Sequence, residues 1–131
     1  MRASTQTTEL LTAYYAAMEA NRRDLLAGYY AQDMTLTFGN AAPIQGREAV
    51  VEAFGDVLDR VRSLAHDLVR VWEEEDGVVV LESLGRWTTR AGTVLEIPAA
   101  TAITVVDGVF TDQRIWVDNA PVFAALEREG A

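Results

Sequence analysis

Apolar residues recur at helical spacing at the start of the chain, where Leu10, Leu11, Tyr14, Tyr15 and Met18 share one face and predict a helix over about residues 6–20. The threonines before it suit a cap, and Glu9 is placed to favour the positive helix end. Asn21-Arg22-Arg23-Asp24 then reads as a second N-cap with a capping-box-like partner, followed by a short helix carrying Leu25, Leu26, Tyr29 and Tyr30. From Met34 the period changes to two. Met34, Leu36 and Phe38 alternate with Thr35 and Thr37, which predicts a strand with one buried face and Phe38 turned inward. Gly39-Asn40-Ala41-Ala42-Pro43 is a loop, and Gly46-Arg47-Glu48 opens a third helix striped by Val50, Phe54, Val57, Leu58 and Val61.

The second half holds no further long helical pattern. Asp76-Gly77, Ala91-Gly92 and Asp107-Gly108 punctuate segments rich in Val, Ile, Thr and Trp at intervals of about fifteen residues, which predicts four antiparallel strands in a meander. Residues 119–127, with Pro121 near the start, read as a terminal turn of helix. The expected fold is α+β, a curved antiparallel sheet wrapped round three helices in the order α-α-β-α-β-β-β-β. It is cone-shaped, with a central pocket, and forms a single domain over 1–131. The concave space between helices and sheet is the default ligand site.

Composition narrows the function. The 131 residues are 50% hydrophobic, enough for a core in one domain and too few for two. The net charge of −9 argues against nucleic acid and anionic membrane surfaces as partners. There is no cysteine and one histidine, so no disulfide, thiolate nucleophile or multi-His zinc centre is expected, and neither a metal nor an organic cofactor is implied. The polar stretch Met1–Thr8 lacks the apolar core of a signal peptide, and no apolar run approaches the ~18 residues of a membrane span, so a cytoplasmic location is expected.

Several segments together resemble the nuclear-transport-factor-2-like superfamily, which includes SnoaL-like polyketide cyclases, ketosteroid isomerases and limonene epoxide hydrolases. They are Tyr14-Tyr15-Ala16-Ala17-Met18, Tyr30-Ala31-Gln32-Asp33, Gly46-Arg47-Glu48-Ala49-Val50, and Asp107-Gly108 followed by Arg114-Ile115-Trp116-Val117-Asp118. The resemblance implies a small-molecule enzyme of the isomerase, cyclase or dehydratase class, acting on a hydrophobic carbonyl-containing or polyketide-like substrate. It also implies a homodimer paired through the outer sheet face. The resemblance places three acid stations of the family at Phe38, at Thr101 (or Ala102 if the register slips) and at Ile115, none of them an acid. Tyr14 matches the isomerases' oxyanion-hole tyrosine, Tyr30 an aromatic neighbour in that site, and Phe54 a supporting position.

Two residues are candidate catalysts. A protonated phenol at Tyr14 can stabilise charge developing on a carbonyl oxygen, or can be a core tyrosine satisfied internally. His66 has the unperturbed pKa suited to proton shuttling, or is a structural group at a strand start. Met18, Tyr30, Phe38, Phe54, Trp87, Thr101, Ile115 and Val117 are expected to line the pocket. Glu82, Arg86, Glu96 and Pro98 are assigned to the outer face, where Trp116 also falls by parity with Ile115. Asp118 reads as a turn or cap ligand, and Glu73-Glu74-Glu75-Asp76 as a solvated hairpin tip. The alternative to an enzyme is a non-catalytic small-ligand-binding or dimerisation module, and the polar groups inside the pocket discriminate the two.

Overall fold

The computed structural model describes residues 1–130. The elements are α1 (Thr5–Glu19), α2 (Arg23–Ala27), β1 (Tyr30–Phe38), β2 (Ile44–Gln45), α3 (Arg47–Leu58), β3 (Ser63–Glu73), β4 (Val78–Thr88), β5 (Val94–Val106), β6 (Val109–Val117) and α4 (Ala120–Arg128). The architecture is α+β as expected, with six strands in the order β2-β1-β6-β5-β4-β3. The meander from β3 to β6 is antiparallel throughout. One expectation is corrected: the sheet is mixed, because β1 lies parallel to β6. A strand that follows helices finds its edge wherever the core face is continued, and here that edge belongs to the last strand.

Local chemistry sets most boundaries. Ser4 caps α1 by accepting from the Thr7 N–H, and Glu73 at the end of β3 adds a cap from outside, accepting from the Ser4 N–H and the Thr7 hydroxyl. Glu73 therefore leaves the solvated tip to which the acidic run assigned it. Glu9 lies beyond the first turn, which holds no acid. Asn21 does not cap α2; it adopts φ 53° and donates to Asp59 instead. Asp107 and Gly108, both at positive φ, make the two-residue turn whose twist matches the β5–β6 hairpin. Asp118 accepts from the Ala120 N–H at the start of α4, the cap role expected of it.

The sheet curls because strands bulge. Register shifts occur between Tyr30 and Thr35, between Leu68 and Arg70, and between Thr104 and Val105, and each bulge bends its strand and sharpens the twist. The concave face takes α1 and α3. Leu11, Tyr14, Met34, Leu36, Val50, Leu81, Ile103, Phe110 and Leu126 are wholly buried there. Burying one such side chain is worth about 2 kcal/mol relative to leaving it in water. No helix is long and apolar enough to cross a membrane.

Candidate functional site

Packing does not fill the whole concave face. A cavity of about 500 Å³ remains between the sheet and helices α1, α3 and α4. Its floor follows from strand parity: alternate residues face the same side, so Ser83, Gly85 and Trp87 of β4 line it, with Ile97, Ala99 and Thr101 of β5 and Gln113, Ile115 and Val117 of β6. Phe38 at the end of β1, Met18 of α1 and Phe54 of α3 complete the wall among the residues predicted for it. Phe38 and Phe54 meet edge to face, 6.1 Å between centroids.

Among the described residues, the lining contains no aspartate, glutamate, lysine or arginine. Glu82, Arg86, Glu96 and Pro98 are exposed, as the outer face requires, and Arg86 pairs with Asp67 at 3.4 Å. Trp116 is also exposed, at 48%, beside Arg114, whose guanidinium lies 5.5 Å from the indole centre.

His66 is on the cavity wall. Its ring Nδ1 lies 3.0 Å from Glu19 Oε2, and its backbone N–H donates to the same oxygen at 2.7 Å. A carboxylate beside Nδ1 favours the tautomer protonated there, which leaves Nε2 with its lone pair free. Burial pushes the His66 pKa below its usual 6.5, against the pull of Glu19 and Asp67 in the other direction. The ring is thus neutral at pH 7, the form that can accept a proton. Glu19 was not read as a site residue, although it stands four positions after Tyr15 on α1 and so one helical turn along the same face.

Tyr14 and Tyr30 correct the expectation that both reach the pocket. Neither lines it. Successive helical residues point about 100° apart, and it is Tyr15 that faces the cavity, packed 4.6 Å from the His66 ring between centroids. Tyr14 is turned under β1 and β6, fully buried, with its hydroxyl 2.6 Å from that of Tyr30 and donating to Gln113 Oε1 at 3.1 Å. Burial raises the pKa of Tyr14, Tyr15 and Tyr30 above 10, so all three stay protonated at neutral pH.

Gln113 was missed as well. It is fully buried, lines the cavity, and its Nε2 has no hydrogen-bond partner among the described residues. Half-buried Asn119, also on the lining, has an unpartnered Oδ1. The parity that turned Ile115 inward was the signal for Gln113, two residues earlier on β6.

The SnoaL-like domain model matches residues 11–118. The chain belongs to the SnoaL-like domain family. No curated protein matches its sequence. Solved structures share the SnoaL-like fold at low identity. A candidate SnoaL-like polyketide cyclase from Jannaschia sp. CCS1 is 18% identical, with TM-score 0.79 and 96% of each chain covered. A protein of ketosteroid isomerase-like fold from Catenulispora acidiphila DSM 44928, in complex with trimethylamine, is 19% identical, with TM-score 0.77, covering 88% of this chain and 90% of that one. An LEH-like epoxide hydrolase from M. tuberculosis is 17% identical, with TM-score 0.76, covering 95% of this chain and 92% of that one. The SnoaL-like cone is therefore shared by proteins described with different chemistries, and the reaction has to be read from this chain's own cavity.

Proposed function

We propose that this SnoaL-like protein is an enzyme of the isomerase, cyclase or dehydratase class, moving a proton next to a carbonyl in a hydrophobic, polyketide-like molecule. The observation that carries this reading is His66, on the cavity wall with Nδ1 held by Glu19. Nε2 removes a proton from the carbon beside the carbonyl, the electron pair moves onto the carbonyl oxygen, and the resulting imidazolium is stabilised by the Glu19 carboxylate. Returning the proton to a different carbon isomerises the substrate. Attack of the enolate on a second carbonyl closes a ring, the new alkoxide taking the proton back from the imidazolium; where a β-hydroxyl is present, the imidazolium instead protonates it as the enolate expels it, and it leaves as water. This proton transfer calls on no metal or organic cofactor. Apolar walls strengthen every polar interaction made inside them by lowering the local dielectric.

Acetonaphthone, an enolisable aromatic ketone, tests the reading in heavy water. Deuterium is expected to enter its acetyl group faster with protein than with buffer, and His66→Ala should slow this roughly 100-fold. Exchange that does not depend on His66 overturns it. The second reading, a binding module without chemistry, draws support from the wall, on which no carboxylate stands among the described residues and Phe38, Thr101 and Ile115 stand instead. It predicts a bound ketone with no exchange at all. Pairing with a second copy through the outer sheet face belongs to either reading and draws on exposed Trp116 and Val80 on that face.

A further inference from the structure

Gln113 presents a donor with nothing to donate to. Its side chain is wholly buried, its Oε1 is occupied by the Tyr14 hydroxyl, and its Nε2 has no partner although the residue lines the cavity. Leaving a buried amide unpaired costs about 1–3 kcal/mol, so such a group persists where a ligand completes it.

The tyrosines fix which end of the amide is free. Tyr30 and Tyr14 share a hydrogen bond of 2.6 Å. If Tyr30 donates to Tyr14, Tyr14 donates onward to Gln113 Oε1, and every proton in the chain has an acceptor except those on Nε2. The reverse order turns Nε2 toward Tyr14 and sends the Tyr14 proton to Tyr30. The Tyr30 hydroxyl proton is then stranded in a residue only 1% exposed, and Gln113 Oε1 is stranded with it. The first order leaves fewer orphans, so the NH2 group is the end of the amide left without a partner.

Resting on the reading of this cavity as a substrate site, we propose that Gln113 Nε2 recognises the carbonyl oxygen of an uncharged ligand, with Tyr14 and Tyr30 as positioning residues behind it. A carboxylate or phosphate ligand is disfavoured because, among the described residues, no lysine or arginine lines the wall to compensate it. A pure hydrocarbon would leave Nε2 unpaired. A neutral ketone, aldehyde, ester or quinone satisfies the amide and buries its carbon body against Phe38, Phe54, Ile115 and Trp87.

The test compares acetonaphthone with ethylnaphthalene, a pair of similar shape in which only the first has the oxygen. Wild-type protein should bind the ketone at least about tenfold tighter, the worth of one buried hydrogen bond. Gln113→Met, of similar length but without the amide, should erase the preference while still binding ethylnaphthalene. Tyr14→Phe keeps Nε2 and should retain part of the preference. The carbonyl stretch of bound carbon-13-labelled acetonaphthone should shift to lower frequency than in hexane, and return toward the hexane value in Gln113→Met. If that variant does not fold, the wild-type stretch decides alone. Equal binding of the two probes, or an unshifted stretch, overturns the assignment and leaves proton exchange by His66 standing. A shifted stretch without exchange overturns the catalytic reading and leaves Gln113 in place.

Discussion

Glu19 Oε2 accepts two hydrogen bonds from one residue, His66, at 2.7 Å from its backbone N–H and 3.0 Å from its ring Nδ1. The two contacts fix the strand and the ring together. α1 is thereby locked to β3, and the imidazole enters the cavity in one orientation.

Glu19→Gln should weaken that hold. Glu19 raises the His66 pKa, so removing its charge should move the ring's NMR titration midpoint to lower pH. A glutamine amide facing Nδ1 can also donate to it and favour the tautomer protonated at Nε2, which is not a base. Deuterium exchange into acetonaphthone should fall by about tenfold or more. An unmoved midpoint would show that the carboxylate does not govern the ring.

The lowered His66 pKa also makes stability depend on pH. The unfolded chain takes up a proton near 6.5, whereas the folded chain does so only at lower pH, so acid favours the unfolded form. This contribution is fully present above 6.5 and is lost as pH falls through the folded value. Denaturant midpoints of the wild type should therefore drop on acidification below 6.5, and the drop should be smaller in His66→Phe.

Gly85 pairs with His66 across the β3–β4 ladder and leaves the cavity floor bare beside it. A Cβ there would meet its neighbours at no less than 3.5 Å, ordinary van der Waals contact. Gly85→Ala should keep the melting temperature near that of the wild type, and Gly85→Val should weaken acetonaphthone binding by occupying the floor. Tighter binding by the valine variant would show that the ketone does not sit over this strand.

Gly55 of α3 is a different case. A Cβ there would collide with Arg23 Cζ, because the guanidinium lies across the glycine on its way to Asp59, 3.0 Å from Oδ2. Gly55→Ala should displace Arg23 and lower the melting temperature. In an Arg23→Ala background the same change should have little effect or be stabilising, since alanine is the better helix former. Additive losses in the double variant would break this account of how α2 is held to α3.

Trp116→Asp should shift any dimer toward monomer at a given concentration in sedimentation experiments, because it replaces the exposed indole, a large apolar group on the outer face, with a charge. The same variant should leave exchange at His66 unchanged, since the indole is on the opposite side of the sheet from the cavity. Equal dimer populations in both proteins would move the interface elsewhere.

The fold and most of the wall were legible, the fold because period carries it. Phe38 followed from strand alternation, whereas Thr101, Ile115 and Phe54 were placed by the positions that the family resemblance assigns to them. Tyr14 and Tyr15 are adjacent, and spacing alone did not decide which one meets the cavity and which the core; only the rotation of α1 against the sheet settles it. Glu19 was missed because a glutamate at a helix end reads as solvent-facing until its neighbours are known, and Gln113 because its polar side chain outweighed the strand parity that turns it inward with Ile115. The β1–β6 pairing was illegible for a related reason, since nothing in Tyr30–Phe38 names a partner nearly eighty residues away.

That pairing has a consequence for assembly. Tyr30 is matched with Phe110 and Phe38 with Ile115, so the wall that carries Phe38 gains its neighbour only when the final strand docks. Closing so long a loop is entropically expensive and slow. A ligand therefore finds nothing to bind in a partly assembled chain, and occupancy of the cavity reports on completion of the whole molecule.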